Sequence, residues 1–372
     1  MRTALKILGI LVVGTLLGLG ATWLAVVRGT WGGAVSDGPW KTSLTTGSRD
    51  AGMYQRAAVA VHGLLALNRS ETIYYTAGAD SDGAALSGAC VYRIDGRDPP
   101  ARWWSITAYG ADDYLIPNRA GLYSVSRNSV ARGDDGRFAV RVSKDAAGGE
   151  RHSGGGRRLQ PDAQALQSRC QGRRRSGACR VARDPQGALR MSALARNWQW
   201  LAATLAVAVV VHVASVIAVP RLIMGRTMAV ISKAGGINAM AFGRRPTAAA
   251  RGVVRPSPDL LYATCVYDLD AAGGALRVRA SGMPKTYWSV SLFDAATDNF
   301  HVVNDRQAKG GAVDFVIVAA GAPRIATPLP VVVSPTARGL VLLRTLIDDD
   351  KRLAEIDAAR RHAACGPYTA AP

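Results

Sequence analysis

The chain has 372 residues, 48% of them apolar and 20% charged, with 40 glycines, few aromatics and a formal net charge of +19. That length accommodates two domains with cores of their own, and the composition lies in the globular range. Such basicity usually signals a nucleic-acid or anionic-membrane partner. Here it concentrates between Glu150 and Arg190, where ten arginines stand against Glu150, Asp162 and Asp184, and beside apolar runs as Arg221, Arg226, Lys233, Arg244 and Arg245. With no stacking-aromatic motif and no zinc spacing, we read the charge as topological or artefactual and expect no nucleic-acid partner.

From Ile7 to Val27 there is neither charge nor proline, and Arg2, Lys6 and Arg28 flank the run. Its length suits a bilayer-crossing helix, exceeds a secretory signal core, and no small-x-small site follows it, so residues 1–28 are expected to be an uncleaved anchor. Ala51 to Leu67 has helical spacing, with Met53, Ala57, Val61, Leu64 and Leu65 on one side. Short β-rich runs follow: Thr72–Tyr75, Ala89–Ile94, Trp103–Tyr109, Leu122–Val125 and Phe138–Val142. Asp82-Gly83, Asp95-Gly96, Pro99-Pro100 and Asp135-Gly136 separate them as turns.

Residues 150–190 break this pattern. They contain no Lys, Phe, Tyr, Trp or Ile, and Met191 follows at once, as at the start of a second protein. We read them as a linker without a core of its own. A second uncharged run, Asn197 to Val219, places a second transmembrane helix in 191–220, with His212 tolerated or turned to a neighbour. The two spans conflict. An N-terminus held inside by Arg2 and Lys6 puts 29–196 outside and returns the chain, so no orientation puts both domains outside, and one of them translocates the arginines.

Beyond it, Leu260–Leu269, Leu276–Arg279, Tyr287–Phe293, Val313–Val318 and Val331–Val333 read as strands. A helix is expected from Ser334-Pro335-Thr336, with Ser334 as cap and Pro335 at the first helical position, followed by an amphipathic segment from Asp348 to His362. Trp103-Trp104-Ser105-Ile106-Thr107 and Tyr287-Trp288-Ser289-Val290-Ser291 are alike, which suggests two related domains. The expected fold class is mainly β: two antiparallel β-sandwich, jelly-roll-like domains (29–149 and 221–372) with peripheral helices, each preceded by a transmembrane helix.

Chemistry is sparse. Asp294, Asp298, Asn299, Asn304, Asp305 and Arg306 cluster after a strand and are candidates for a polar ligand, although Asp and Asn also serve turns. Trp103, Trp104, Tyr287 and Trp288, with Tyr109 nearby, are candidates for an apolar wall beside it, or for core. The five histidines show no ligand spacing, and no nucleophile elbow, phosphate loop or zinc-protease motif occurs, so neither metal nor cofactor is expected. Cys265 and Cys365 share a domain and are expected to pair in an oxidising compartment; Cys170 and Cys179 lie in the odd stretch and carry no weight, and Cys90 is read as having lost a partner there.

At these residues the chain resembles two bacterial envelope families known only as domains of unknown function, numbers 1214 and 1254. The first resemblance, over about 51–149, rests on Asp80-x-Asp82-Gly83, Leu86-x-Gly88, Trp104-Ser105-x-Thr107-x-Tyr109 and Tyr123-Ser124-x-Ser126. The second, from Met191 to about Cys365, rests on Pro220-Arg221-Leu222-Ile223-Met224, Arg255-Pro256-Ser257-Pro258-Asp259-Leu260-Leu261-Tyr262, Tyr267-Asp268-Leu269, Tyr287-Trp288-Ser289, Thr297-Asp298-Asn299-Phe300 and Ser334-Pro335-Thr336-x-Arg338-Gly339. Proteins with a single such domain are typically short and singly anchored, and longer ones carry 1254 first; here the order is reversed. The usual 1214 ending, Asn-Trp-(Leu/Ile)-Pro and an apolar strand, is absent. Read one base later, codons for 150–168 permit a close match to that ending, and Leu189-Arg190 permits a stop just before Met191.

The resemblance implies an inner-membrane envelope protein with periplasmic domains. It would be a binding or assembly module made by joining two adjacent genes, with the bilayer and the companion domain as partners. The alternative is an envelope enzyme acting on a small or lipid-like substrate at the polar loop of the C-terminal domain.

Overall fold

The computed structural model describes residues 2–29, 34–143 and 187–369. The Arg-rich stretch and the missing final strand therefore lie almost wholly outside the described residues. Within them the fold is mostly short strands in antiparallel sheets, with four α-helices.

A long helix leads each half. Helix α1 is Arg2–Trp23 and continues as a π-helical turn, Leu24–Arg28. Helix α3 is Gly187–Gly235 and runs through Pro220 rather than ending there. Both are long and apolar enough to cross a membrane, over Thr3–Arg28 and Trp198–Gly235. Their large side chains point outward, as with Leu8, Leu16 and Leu17 on α1 and Leu205, Val210 and Leu222 on α3.

The two helices pack where α1 has no side chains. A Cβ on Gly14 would lie 2.9 Å from the Thr204 carbonyl oxygen and 2.7 Å from Val207, and one on Gly18 would lie 2.6 Å from the Ala208 carbonyl oxygen. Glycines four apart thus bring one backbone against the other, the small-residue packing that suits helices in lipid. The helices are parallel: Lys6 sits over Trp200, Gly18 meets Val211, Thr22 meets His212, and Val26 packs with Val216. His212 turns to neighbours, with Nδ1 3.0 Å from Thr22 Oγ1 and Nε2 2.8 Å from the Tyr54 hydroxyl.

Tyr54 belongs to α2, Met53–His62, the shorter form of the helix expected from Ala51. The strands of this half are β1 Ala34–Asp37, β2 Trp40–Ser43, β3 Thr76–Ala77, β4 Tyr92–Arg97, β5 Ser105–Thr107, β6 Ser124–Ser126 and β7 Arg137–Val142. They form one three-stranded sheet (β1-β2-β3) and two ribbons, β4-β7 and β5-β6. Among the described residues no hydrophobic cluster belongs to this half alone, so it differs from the self-contained sandwich expected over 29–149. Two-stranded ribbons are marginal unless packed on something else.

That support is the C-terminal half. Its strands are β8 Ala241–Phe242, β9 Leu260–Asp268, β10 Ala275–Ala280, β11 Trp288–Asp294, β12 Asn299–Asn304, β13 Val313–Ala319, β14 Val331–Ser334, β15 Arg338–Leu346 and β16 Ala364–Pro367, with α4 at Leu353–Arg360. One sheet runs β12-β11-β15-β9-β8 and the other β14-β13-β10-β16, all antiparallel except β13 with β14. Inward residues of both sheets share a core: Cys265, Tyr267, Val290, Leu292, Val341 and Leu343 from one, Leu276, Val278, Phe315 and Ile317 from the other. A disulfide, Cys265–Cys365, ties β9 to β16 across it.

Strand β15 replaces the helix expected after Ser334. It pairs with β9 and β11, so both its edges and both its faces are covered, and every residue from Gly339 to Leu346 is buried. A strand buried on both faces loses the alternation that distinguishes it from a helix. The Ser334 hydroxyl, instead of capping a helix, lies 2.8 Å from the Tyr267 hydroxyl and donates to the Thr336 carbonyl.

The second face of the five-stranded sheet (Val266, Phe293, Leu340, Leu342) is covered by Met224 and Met228 of α3 and by Leu64, Leu65 and Leu67 after α2. The last turns of α3 therefore leave the apolar run and become part of the folded body.

Two outcomes are expected. Cys365→Ser should cost about 2–5 kcal/mol in denaturant unfolding, because a long loop loses its closure. The pair Gly18→Cys with Val211→Cys should cross-link on oxidation, while Lys6→Cys with Val216→Cys should not; the reverse pattern would mean antiparallel helices.

Candidate functional site

The expected polar loop is a hairpin. Asp294 ends β11, residues 295–298 turn, and Asn299–Asn304 is β12. The six candidates therefore divide: Asp294, Asp298 and Asn299 lie at one end of β12, and Asn304, Asp305 and Arg306 at the other, roughly 17 Å away for a strand of this length. The aromatic candidates also separate. Trp288 is in the core, whereas Trp104 stacks on Phe138 with ring centroids 4.8 Å apart and donates to Asp98. The two similar phrases thus occupy different settings, a ribbon strand and a central sheet strand.

Three of the six polar candidates, Asp298, Asn304 and Asp305, are engaged by the other half of the chain. Arg56 of α2 donates to Asp298 at 2.6 Å. Arg102 grips Asp305 through two nitrogens, at 3.0 and 2.7 Å. Glu71 accepts from Asn304 Nδ2 at 2.6 Å and from the Tyr287 hydroxyl at 3.0 Å. The Tyr109 hydroxyl donates to the Pro256 carbonyl at 3.2 Å. Asp294 is turned inward, accepting from the backbone of Ala296 and Asp298, while the Asn304 side chain accepts from the backbone N–H of Arg306. Nδ2 of Asn299 is buried without a hydrogen-bond partner among the described residues.

Further contacts escaped sequence reasoning. Arg344 of β15 is buried, donates to the Tyr74 hydroxyl and the Leu65 carbonyl, and its charge is held by surrounding tyrosines against the cost of burial. Its one legible signal was a lone charge inside an apolar strand. Asp113 binds His62 Nδ1 at 2.6 Å and Arg255 Nε at 2.7 Å, and its backbone carbonyl accepts from Arg255 N at 2.8 Å. Burial opposes the Asp113 charge, but His62 and Arg255 together draw its pKa below the ordinary carboxylate value. Asp113 and Arg255 both hold left-handed backbone, φ 62° and 46°, a strain that surrounding contacts must maintain.

Arg255 opens the Arg255-Pro256-Ser257-Pro258-Asp259 segment, and its last residue reaches a cleft between the halves. The cleft, about 880 Å³, is walled by β6 with its flanking loops and by the β4–β7 ribbon on one side, and by Arg245, Asp259 and Asp348–Asp350 on the other. Asp259 is 7% exposed. Its Oδ1 accepts from the Ser124 hydroxyl at 2.7 Å, and the Ser105 side chain also approaches the carboxylate. Burial raises the Asp259 pKa, against the lowering effect of Ser124, Ser105 and Arg245. Asp348 joins the same wall, and Asn128 donates to its carbonyl from across the cleft at 2.9 Å. Among the described residues no three His, Cys, Asp or Glu side chains converge as metal ligands.

Comparison with known proteins agrees with this division. Residues 71–154 match the family DUF1214, and residues 237–367 match the family described as Protein of unknown function (DUF1254). The chain thus carries a DUF1214 region in its N-terminal half and a DUF1254 region in its C-terminal half. No curated protein matches it. A crystal structure of a Vibrio parahaemolyticus protein is similar at 13% identity and TM-score 0.30, over 40% of this chain and 37% of that one. A putative uncharacterized protein from Burkholderia cenocepacia is similar at 15% identity and TM-score 0.39, over 92% and 94%.

The pH dependence at Asp259 has a definite sign. Its folded pKa is raised, so between the unfolded value of about 3.9 and that raised value the folded state holds the extra proton. Stability therefore falls as pH rises through that window. Asp259→Asn should abolish this component and leave neutral-pH stability equal or higher, read as thermal midpoints across pH; a midpoint that drops at neutral pH would refute the assignment.

Proposed function

We propose that this chain, a DUF1214 region joined to a DUF1254 region, is a membrane-anchored envelope module whose working unit is the joint between its halves. It is a binding or assembly device, with the companion half as its first partner. The observation carrying this reading is that Asp298, Asn304 and Asp305, the residues best suited to a ligand, are taken by Arg56, Glu71 and Arg102 of the other half. Three of the six polar candidates are thus spent on the joint, which leaves less of that hairpin for a substrate. On this reading the two facing sheets of the C-terminal half are a sandwich, and the ribbons of the N-terminal half are its cover.

The helices support anchorage. Apolar side chains that point outward along α1 and α3 suit lipid far better than water. Arg2 and Lys6 favour an inside N-terminus, which puts the body at the far end of α1 outside, in the periplasm of an inner-membrane protein.

Parallel helices also sharpen the problem at residues 150–190. Both soluble halves meet at the C-terminal ends of α1 and α3, yet α3 starts beside the start of α1. If both helices span, the chain between them must return across the bilayer. Two separate polypeptides, the second starting at Met191, have no such requirement. We therefore read the chain as two adjacent genes joined by a one-base frameshift.

Co-expressed as separate chains, residues 1–149 and 191–372 should co-purify from membranes as a one-to-one complex. Arg56→Glu with Arg102→Glu should cut recovery at least about tenfold, since like charges brought together at a docked surface cost several kcal/mol. Independent migration of the two segments would sink the proposal. An uninterrupted frame through codons 148–191 in deep sequence reads would remove the frameshift while leaving the joint intact.

A further inference from the structure

Exposed arginines of the folded body find carboxylates, as Arg251 does with Asp112, Arg277 with Asp314 and Arg338 with Asp268. Where α3 leaves its apolar run this pattern stops. Arg221 and Arg226 are exposed, and neither makes an ion pair among the described residues. The helix has no Asp or Glu along Gly187–Gly235. Asp298, whose charge Arg221 favours, is already bonded to Arg56 at 2.6 Å. Leu222 is 69% exposed, while Met224 and Met228 on the opposite side are buried against the sheet. At roughly 100° per residue, Arg221 and Arg226 bracket Leu222 on the outer face of the helix.

Helix length sets the depth of these residues. Trp198–Gly235 runs for 38 residues. Such a helix measures roughly 57 Å, more than the about 40–45 Å of a whole bilayer. Lys6 sits over Trp200, which places one membrane boundary near the start of the run. About 20 residues then cross the apolar core, so Arg221 and Leu222 enter the far headgroup layer and Arg226 stands one turn above them. Helical side chains lean toward the N-terminus, here back toward the bilayer. Arg221 does so, with Nη1 donating to the Ile217 carbonyl at 3.1 Å. Basic residues are uncommon on the translocated side of a span. Two of them without an acid leave a positive site at the depth of lipid phosphates, with an exposed leucine between them.

We infer that the exit of α3 binds an anionic phospholipid, its phosphate between Arg221 and Arg226 and its glycerol and upper acyl carbons against Leu222. Guanidinium donors match phosphate oxygens in pairs, and arginine keeps its charge in a poorly hydrated layer. Apolar and basic side chains on one helix face suit the boundary between headgroups and acyl chains. The inference rests on the proposed anchorage, because only a spanning α3 brings these residues to that level. Met224 and Met228, which cover the sheet, lie within a turn of both arginines, so the bound lipid stands beside the joint.

The test titrates the full chain, in neutral detergent, with dioleoyl-phosphatidylglycerol or dioleoyl-phosphatidylcholine and counts bound lipid by native mass spectrometry. The first phosphatidylglycerol should bind at least about tenfold tighter than phosphatidylcholine. Arg221→Gln and Arg226→Gln should each weaken it about fivefold, and the double variant should lose the preference. Arg226→Gln touches no described contact, so it reports even where Arg221→Gln disturbs the turn after Pro220. Lys233 lies about 10 Å farther along the axis, beyond the headgroups, so Lys233→Gln should leave binding unchanged. Equal affinity for the two lipids, unchanged affinity in both arginine variants, or an equal loss in Lys233→Gln overturns the site. Inorganic phosphate that binds as tightly as phosphatidylglycerol overturns the lipid as its occupant. Release of the full chain from membranes by alkaline carbonate overturns the anchorage itself; a chain that stays in the membrane without lipid preference overturns the headgroup site alone.

Discussion

The five-stranded sheet of the C-terminal half has two apolar faces, and the rest of the molecule follows from covering both. One face is met by the second sheet and secured by the Cys265–Cys365 bridge. The other presents Val266, Phe293, Leu340 and Leu342, and its own half covers only part of it, with Met224 and Met228 of α3. Leu64, Leu65 and Leu67 complete the cover from the opposite half. Hydrophobic burial therefore supplies the adhesion between the halves, at roughly 2 kcal/mol for each large side chain removed from water. It also fixes where α3 ends, because the helix must descend to the sheet.

Adhesion by leucine and methionine has little directional preference. The charged contacts supply register. Arg56 with Asp298 and Arg102 with Asp305 lie at opposite ends of β12, so together they set both position and rotation of one half on the other. Arg102 remains half exposed, so its pair adds little stability but discriminates against misplacement. Arg344 works differently. It is buried with Tyr74 and Leu65 as its described acceptors, and removal of either contact strands a charge.

How much of this was legible follows from the range of each interaction. Strands β9, β11, β13 and β7 were readable because each has a local pattern or clear turn boundaries. Strand β15 was not: its Leu340–Leu343 run carries no period-two signal, since the sheet is covered on both sides, and Ser334-Pro335 imitates a helix start. Strand β12 was hidden by its polar ends, where Asn299 and Asn304 resemble loop residues although the four between them form a strand. The polar character of the hairpin was legible, but its complement lay more than two hundred residues away in Arg56, Glu71 and Arg102. No spacing rule reaches that far. The Arg255–Asp259 segment shows the same limit. Its prolines stand out in the sequence, while the burial of Asp259 involves Ser124 of the other half.

The helix pair and the seam bear on each other through this joint. A soluble two-domain chain could place its linker anywhere, since loops on a surface meet few constraints. If, as proposed, both helices span, a chain with its soluble parts on one side cannot, because a single crossing between them is required and 150–190 offers no uncharged run with which to make it. The composition of that segment therefore matters more than its length. Ten arginines are poor material for a membrane crossing. The contacts on either side, by contrast, are paired donor to acceptor and apolar to apolar. On the proposed two-gene reading, a tether adds only effective concentration to that complementarity.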